Sequence, residues 1–236
     1  MTTAFVLAGG LGTRLRSVIS NAPKPMAPVD DQPFLEYLLK FWITQGISKF
    51  IISVSYMRDS IINYFGDNYQ GIQIEYFIEK DPLGTGGGLI KIANQLSNTF
   101  VVINGDTFFE ISLNELKLFK NKTQAEVVIA LFKSNDRDRY GQVLLNEINQ
   151  VKGFLKSNKD YSELSNGGVY LIDPIVLNKN SYKFNIKCSL ENDILPTLIN
   201  QGSTVVGIEQ KGKFLDIGVP ADYNRAKKFL KLEKKN

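Results

Sequence analysis

Along the first hundred residues, strand-like apolar runs alternate with helix-like ones. TAFVLA (3–8), KFIISVS (49–55) and IQIEYFIE (72–79) read as strands, while PFLEYLLKFWITQ (33–45) and MRDSIINYF (57–65) read as helices. Strands separated by helical segments have to pair in parallel and be covered by those helices, so the pattern predicts an α/β chain. Pro33 opens the first helix and Gly46 stops it, and its apolar stripe is too broad for a surface helix, so a buried core helix is expected. GGLIKIANQL (87–96) predicts a further helix and TFVVING (99–105) a strand that ends at Gly105 and Asp106. From about Ala125 the strands shorten (AEVVIALF, YGQVLLN, VKGFLK, NGGVYLID), then SLENDILPTLINQG restores a helix, STVVGIEQ gives a last strand, and a C-terminal helix begins near Pro220. This predicts a mixed sheet in the second half.

The first strand runs into LAGGLGTRL (7–15), followed by KPM at 24–26. A dinucleotide fingerprint starting at Gly10 and Gly12 would need a third glycine where Leu15 stands, and a Walker loop would need a following Gly-Lys-Ser/Thr that is absent. What remains is a run of small residues that lets backbone N–H groups approach an anion, with Arg14 and Lys24 to neutralise it. That combination points to phosphate. Asp106, at the C-terminal end of its strand, lies where the ligand crevice of an open α/β sheet is found, and is placed to meet a metal ion or phosphate. Asp216 is read as a turn residue ahead of the last helix.

Composition removes several classes. The chain has no histidine, which disfavours Ser-His-Asp and Cys-His catalysis and a typical zinc site together. One cysteine, Cys188, leaves no internal disulfide and no multi-thiolate site. The net charge of +4 is modest and concentrated in the tail KKFLKLEKKN, so no nucleic-acid partner is expected. No run approaches a membrane span and the N-terminus shows no signal-peptide pattern, so neither a membrane partner nor export is expected and the cytoplasm is the expected compartment. One domain spanning 1–236 is expected, with a nucleotide-binding half at 1–124 and a sugar-phosphate-binding half at 125–236.

LAGGLGTRL with PKPMAPV, NGDT (104–107), FLDIGVPADY (214–223), PLGTGGGL (82–89) and YGQV (140–143) occur in an order that resembles the sugar-1-phosphate nucleotidylyltransferases over essentially the whole chain. Within that family, GTRLRSV running into PKPMAPV and PFLEYLL is most similar to the guanylyltransferases that act on D-glycero-D-manno-heptose 1-phosphate. The resemblance implies a Rossmann-like, GT-A-like fold with a mixed, mostly parallel central sheet flanked by helices. It also implies that a sugar 1-phosphate attacks the α-phosphorus of GTP, giving GDP-heptose and pyrophosphate for a surface polysaccharide. Homo-oligomerisation is compatible with that reading. A sugar phosphate is largely dianionic at neutral pH, because its second pKa is near ~6. The nucleophile therefore needs no base, in keeping with the missing histidines.

By the same resemblance, Leu7, Ala8, Gly9, Gly10, Gly12 and Thr13 hold the triphosphate with Gly105, and Arg14 engages its β- and γ-phosphates. Lys24 bridges the α-phosphate and the sugar phosphate, and Asp106 and Asp216 hold Mg2+. Glu79, Gly84 and Thr85 fall on the base side, and Gly141, Asn166 and Glu191 on the sugar side. The chain departs from the family's Phe-x-Glu-Lys-Pro segment, having GFLKSNKDYSEL instead, so Lys156 stands where the glutamate would be and Ser157 where the lysine would be. Lys156 or Lys159 is left as the phosphate contact and Glu163 as a replacement acid. The sequence leaves open GDP-mannose synthesis, another nucleotide (UTP, dTTP or CTP), and a nucleotide-sugar sensor without turnover.

Overall fold

In the computed structural model the described residues are 1–10, 12, 15, 18–19, 21–134, 139–155, 162–178 and 187–231. In chain order the strands are β1 Thr3–Leu7, β2 Pro28–Val29, β3 Gln32–Pro33, β4 Lys49–Val54, β5 Asn68–Tyr69, β6 Ile72–Ile78, β7 Phe100–Asn104, β8 Thr107–Phe109, β9 Val127–Lys133, β10 Gln142–Leu145, β11 Val151–Leu155, β12 Leu164–Ile172, β13 Val205–Glu209 and β14 Phe214–Asp216. The helices are α1 Phe34–Thr44, α2 Arg58–Phe65, α3 Gly84–Ala93, α4 Leu113–Thr123, α5 Pro174–Asn178, α6 Leu195–Asn200 and α7 Pro220–Lys231.

Two compact units divide the chain. The first holds Met1–Pro82, Ile103–Glu110 and the chain from Lys213 onward; the second holds Leu83–Val102 and Ile111–Gly212. These bounds follow the packing of the chain on itself.

In the first unit β1, β4 and β6 pair in parallel, and β5 adds an antiparallel edge. β1 buries Ala4, Phe5 and Val6 completely, as a parallel strand covered on both faces must. α1 is the expected core helix, with Phe34, Leu35, Leu38, Leu39 and Trp42 at 1% exposure or less. Its Glu36 is buried too, and is held by Tyr64 Oη at 2.5 Å, Tyr69 Oη at 2.7 Å and Lys40 Nζ at 2.7 Å. Burial alone would raise this carboxyl, but the hydrogen bonds from Lys40, Tyr64 and Tyr69 and the Lys40 charge outweigh it and hold its pKa below the usual range. A depressed carboxylate contributes stability above its unfolded pKa and loses it as pH falls through the folded value. Glu36→Gln should therefore destabilise the protein by about 2 kcal/mol at neutral pH and by progressively less in acid, measured by urea unfolding at several pH values. An equal loss at every pH would refute the charge argument.

The second unit is a mixed sheet, as expected from the shorter strands. β12 pairs antiparallel with β9, β13 lies parallel to β9, and β10 pairs antiparallel with both β11 and β12. β12 carries an irregularity: Asn166 lies opposite Leu131 and Tyr170 opposite Ile129, so four steps along β12 match two along β9. Gly168, at φ +70°, sits inside this bulge. Bulges re-aim the side chains that flank them. α4 was not expected from the periodicity, although Ser112 caps it by accepting from Glu115 N at 3.2 Å, the Ser-x-x-Glu signature of a helix start. The expected helix at 189–202 is split into a π-helical turn, Leu190–Ile194, and α6, the break falling just before Pro196 with its missing N–H. No described helix is long and apolar enough to cross a membrane.

Candidate active site

Short strands bring the two acidic residues together. β8 and β14 pair antiparallel with Thr107 opposite Asp216, and Ile217 N donates to Asp106 O at 3.0 Å. Asp216 therefore ends a strand, where the sequence reading placed it in a turn: three residues are too few to show a strand period. Gly218 N then donates to Asp216 Oδ1 at 2.6 Å and fixes that carboxylate.

Between the two carboxylates lies the ammonium of Lys24. It is ion-paired with Asp106 Oδ2 and stands 3.7 Å from Asp216 Oδ1, its side chain only 10% exposed. Lys24 opens a one-turn 3-10 helix, Lys24–Met26, anchored by buried Pro25. Its stem passes Gly12, whose φ is +58° and where an added Cβ would lie 3.0 Å from Lys24 Cβ. A side chain at Gly218 would sit 2.8 Å from Asp216 Oδ1 and 3.2 Å from Lys24 Nζ, so this glycine keeps the charged group compact. Gly218 and Pro25 were not singled out from sequence; the signal lay in DIGVP and KPM, where they adjoin the charged residues.

A cleft of about 160 Å³ opens on this group, lined by Leu7, Ala8, Gly10, Gly12, Lys24, Pro25, Asp106 and Gly218. Gly10 has no positive φ, and a Cβ there would meet nothing within 4 Å. A glycine on the cleft wall with no described neighbour against it leaves room for the backbone to be approached closely. Gly105 has a different reason. Its Cβ would lie 2.8 Å from Leu7 O, so the glycine lets the ends of β1 and β7 meet, with Gly105 N donating to Leu7 O at 3.0 Å. Glu79, buried just past β6, accepts from the Ser53 hydroxyl, and its Oε1 lies 3.4 Å from where a Gly9 Cβ would be. It supports the loop from behind. Thr13 and Arg14 lie outside the described residues.

In the second unit Gly84 begins α3 at φ +73°, and a side chain there would run into the Cys188 carbonyl. That is a structural demand for glycine which requires no ligand. Thr85 Oγ1 accepts from Leu190 N at 2.8 Å and donates to Glu191 Oε2 at 3.0 Å. Asn166 N donates to Gly141 O at 3.0 Å, and a Cβ on Gly141 would meet nothing within 4 Å. Asn166 Nδ2 donates to Tyr170 Oη at 2.8 Å, and Tyr170 Oη to Glu191 Oε1 at 3.0 Å. The expected sugar-side residues Gly141, Asn166 and Glu191 are thus joined through Tyr170, a residue of the NGGVYLID strand that was not singled out from sequence. Lys156 and Lys159 lie outside the described residues, and Glu163 is 3.7 Å from Lys133.

The family profile described as nucleotidyl transferase matches residues 3–233. The chain belongs to the nucleotidyl transferase family. This nucleotidyl transferase is 41% identical over 220 residues to the D-glycero-alpha-D-manno-heptose 1-phosphate guanylyltransferase of Campylobacter jejuni, covering 93% of this chain and 96% of that one. It is 38% identical over 228 residues to the enzyme of the same name from Aneurinibacillus thermoaerophilus, covering 96% and 97%. Among solved structures, HddC from Yersinia pseudotuberculosis superposes with a TM-score of 0.83 at 31% identity, covering 97% of this chain and 99% of that one, and it has also been crystallised with GMP-PN. The expected α/β fold of the nucleotide-diphospho-sugar transferases is therefore the fold of this chain, a mixed sheet with flanking helices. Nucleotidyl transferases of this kind generally work with a divalent metal ion. The residues fit one: Asp106, in the turn before β8, and Asp216, at the end of β14, both bring carboxylate oxygens to Lys24 Nζ, and carboxylates are the donors a hard cation takes along with water and phosphate oxygens.

Proposed function

We propose that this nucleotidyl transferase joins GTP and D-glycero-D-manno-heptose 1-phosphate, releasing pyrophosphate and forming GDP-heptose, with Mg2+ as its metal. A phosphate oxygen of the sugar 1-phosphate forms a bond to the α-phosphorus as the bond from that phosphorus to the bridging oxygen of the departing pyrophosphate breaks. No proton has to move at the nucleophile. Two anions that repel each other have to be held together, and cationic charge has to meet the oxygens on which negative charge builds. Lys24 suits that task as a point charge next to the glycine-lined cleft. Asp106 and Asp216 would hold Mg2+, which supplies Lewis-acid neutralisation of phosphate oxygens when bound. Arg14 and Thr13 complete the triphosphate contacts in this reading, with Glu79 behind the loop. Gly84 and Thr85 take the base side, Gly141, Asn166 and Glu191 the sugar side, and Lys156 the sugar phosphate. The setting of the reaction is the cytoplasm.

The observation that carries the reading is the Lys24 ammonium between two carboxylates, at the edge of a cleft lined by Gly10 and Gly12. The choice of base and sugar rests on the guanylyltransferase relatives. Pyrophosphate release measured with each of GTP, UTP, dTTP and CTP against heptose, mannose and glucose 1-phosphates should be greatest for GTP with the heptose. Turnover with UTP or dTTP and glucose 1-phosphate, but none with GTP, would overturn the substrate claim. Binding of a GDP-sugar with no pyrophosphate at saturating Mg2+ would identify a sensor.

A further inference from the structure

Glu191 accepts from three hydroxyl groups. Its Oε1 accepts from Tyr170 Oη, and its Oε2 from Thr85 Oγ1 at 3.0 Å and Ser189 Oγ at 2.9 Å. Each of these hydroxyls also receives an N–H: Tyr170 from Asn166 Nδ2, Thr85 from Leu190 N, and Ser189 from Asn192 N at 3.1 Å. A hydroxyl has one proton, and an ionised carboxylate can only accept. The direction of every bond is therefore set: three hydroxyls point their protons at Glu191 and turn their lone pairs outward.

The outward end of the Tyr170 branch is Asn166. Because Tyr170 offers it a lone pair, the side chain of Asn166 has to present its NH2 to the phenol, which leaves Oδ1 to accept from Gly168 N at 3.0 Å inside the β12 bulge. Both ends of the amide are thereby assigned. Tyr170 has 0% exposure, and burial followed by the charge of Glu191 pushes its phenol well above the ordinary tyrosine range, so it remains a donor at any working pH.

We infer that Glu191 and Tyr170 are positioning residues: Glu191 fixes the direction of a hydrogen-bond relay that runs through Tyr170 to orient the Asn166 amide, and through Thr85 it ties that amide to the start of α3. This rests on the proposed function, in which Asn166 meets the sugar and Thr85 lies on the base side, and it gives Glu191 a role other than touching the sugar. The sugar-side amide is then read by the substrate in one orientation, and the same carboxylate serves both recognition elements of the second unit.

Steady-state kinetics of the full chain with GTP and D-glycero-D-manno-heptose 1-phosphate test this. Tyr170→Phe keeps the ring and removes the link, so KM for the sugar phosphate should rise about tenfold while KM for GTP stays within about twofold and kcat is largely kept. Glu191→Gln puts an NH2 group where only acceptors are tolerated, so it should raise both KM values about tenfold. Thermal unfolding of both variants is followed alongside, since a purely structural role would lower Tm without this split. Unchanged KM for the sugar phosphate in a folded Tyr170→Phe enzyme, equal changes in both KM values for that variant, or loss of folding in both variants with no split in the residual activity would each overturn the inference. A wild-type protein that turns over no sugar 1-phosphate would instead sink the proposed function, and the relay's role with it.

Discussion

Lys24→Met should lower kcat for pyrophosphate release by about 10²-fold or more, with the fold retained and the half-saturating metal concentration unchanged or lower. Methionine keeps most of the stem that passes Gly12, so the loop is not undermined; what disappears is the charge. In the proposed reaction the loss should fall on kcat, because the negative charge assigned to Lys24 grows as the α-phosphorus is attacked and pyrophosphate leaves, which would make the interaction stronger in the transition state than in the bound substrate. The metal response follows from the ion pairs. An ammonium held by Asp106 and Asp216 competes with a cation for the same carboxylates, so its removal should relieve that competition. Near-wild-type kcat would count decisively against Lys24 as the cation at the reacting phosphates.

Asp106→Asn should show the opposite signature, a fall in kcat of about 10²-fold with the half-saturating Mg2+ concentration raised about tenfold or more. Asparagine is nearly isosteric and the backbone carbonyl of this residue keeps its bond from Ile217 N, so the β8–β14 ribbon has no cause to open. Only the negative charge is withdrawn from the pair of carboxylates proposed to hold Mg2+. Activity titrated against Mg2+ separates the cases: if the variant loses kcat while its metal dependence matches the wild type, Asp106 acts on something other than the metal.

The elements read correctly from sequence are those with a long enough period. The parallel strands β1, β4 and β6 and the helix α1 announce themselves because each buries a continuous apolar run. The charged centre was legible for another reason. Gly10, Lys24 and Asp106 stand at positions where a strand ends or a loop begins, and there a glycine or a charge has to be explained by something outside the core. The ribbon that carries Asp216 was not legible, because TFF and FLD are too short to show alternation and pair across about a hundred residues of chain. Tyr170 was hidden differently. Within NGGVYLID an aromatic looks like packing, and its ring does pack; the function lies in one oxygen whose partners, Asn166 and Glu191, are brought to it by a bulge and by a turn 21 residues further on. No local pattern encodes that meeting. α4, by contrast, was missed although Ser112 and Glu115 gave a usable signal.

Asp106 stands in the turn before β8 and Asp216 ends β14, so the two carboxylates and Lys24 are gathered only when β8 and β14 pair across about a hundred residues of chain. The charged centre is therefore closed by a non-local contact, of the kind that folding completes after local structure has formed.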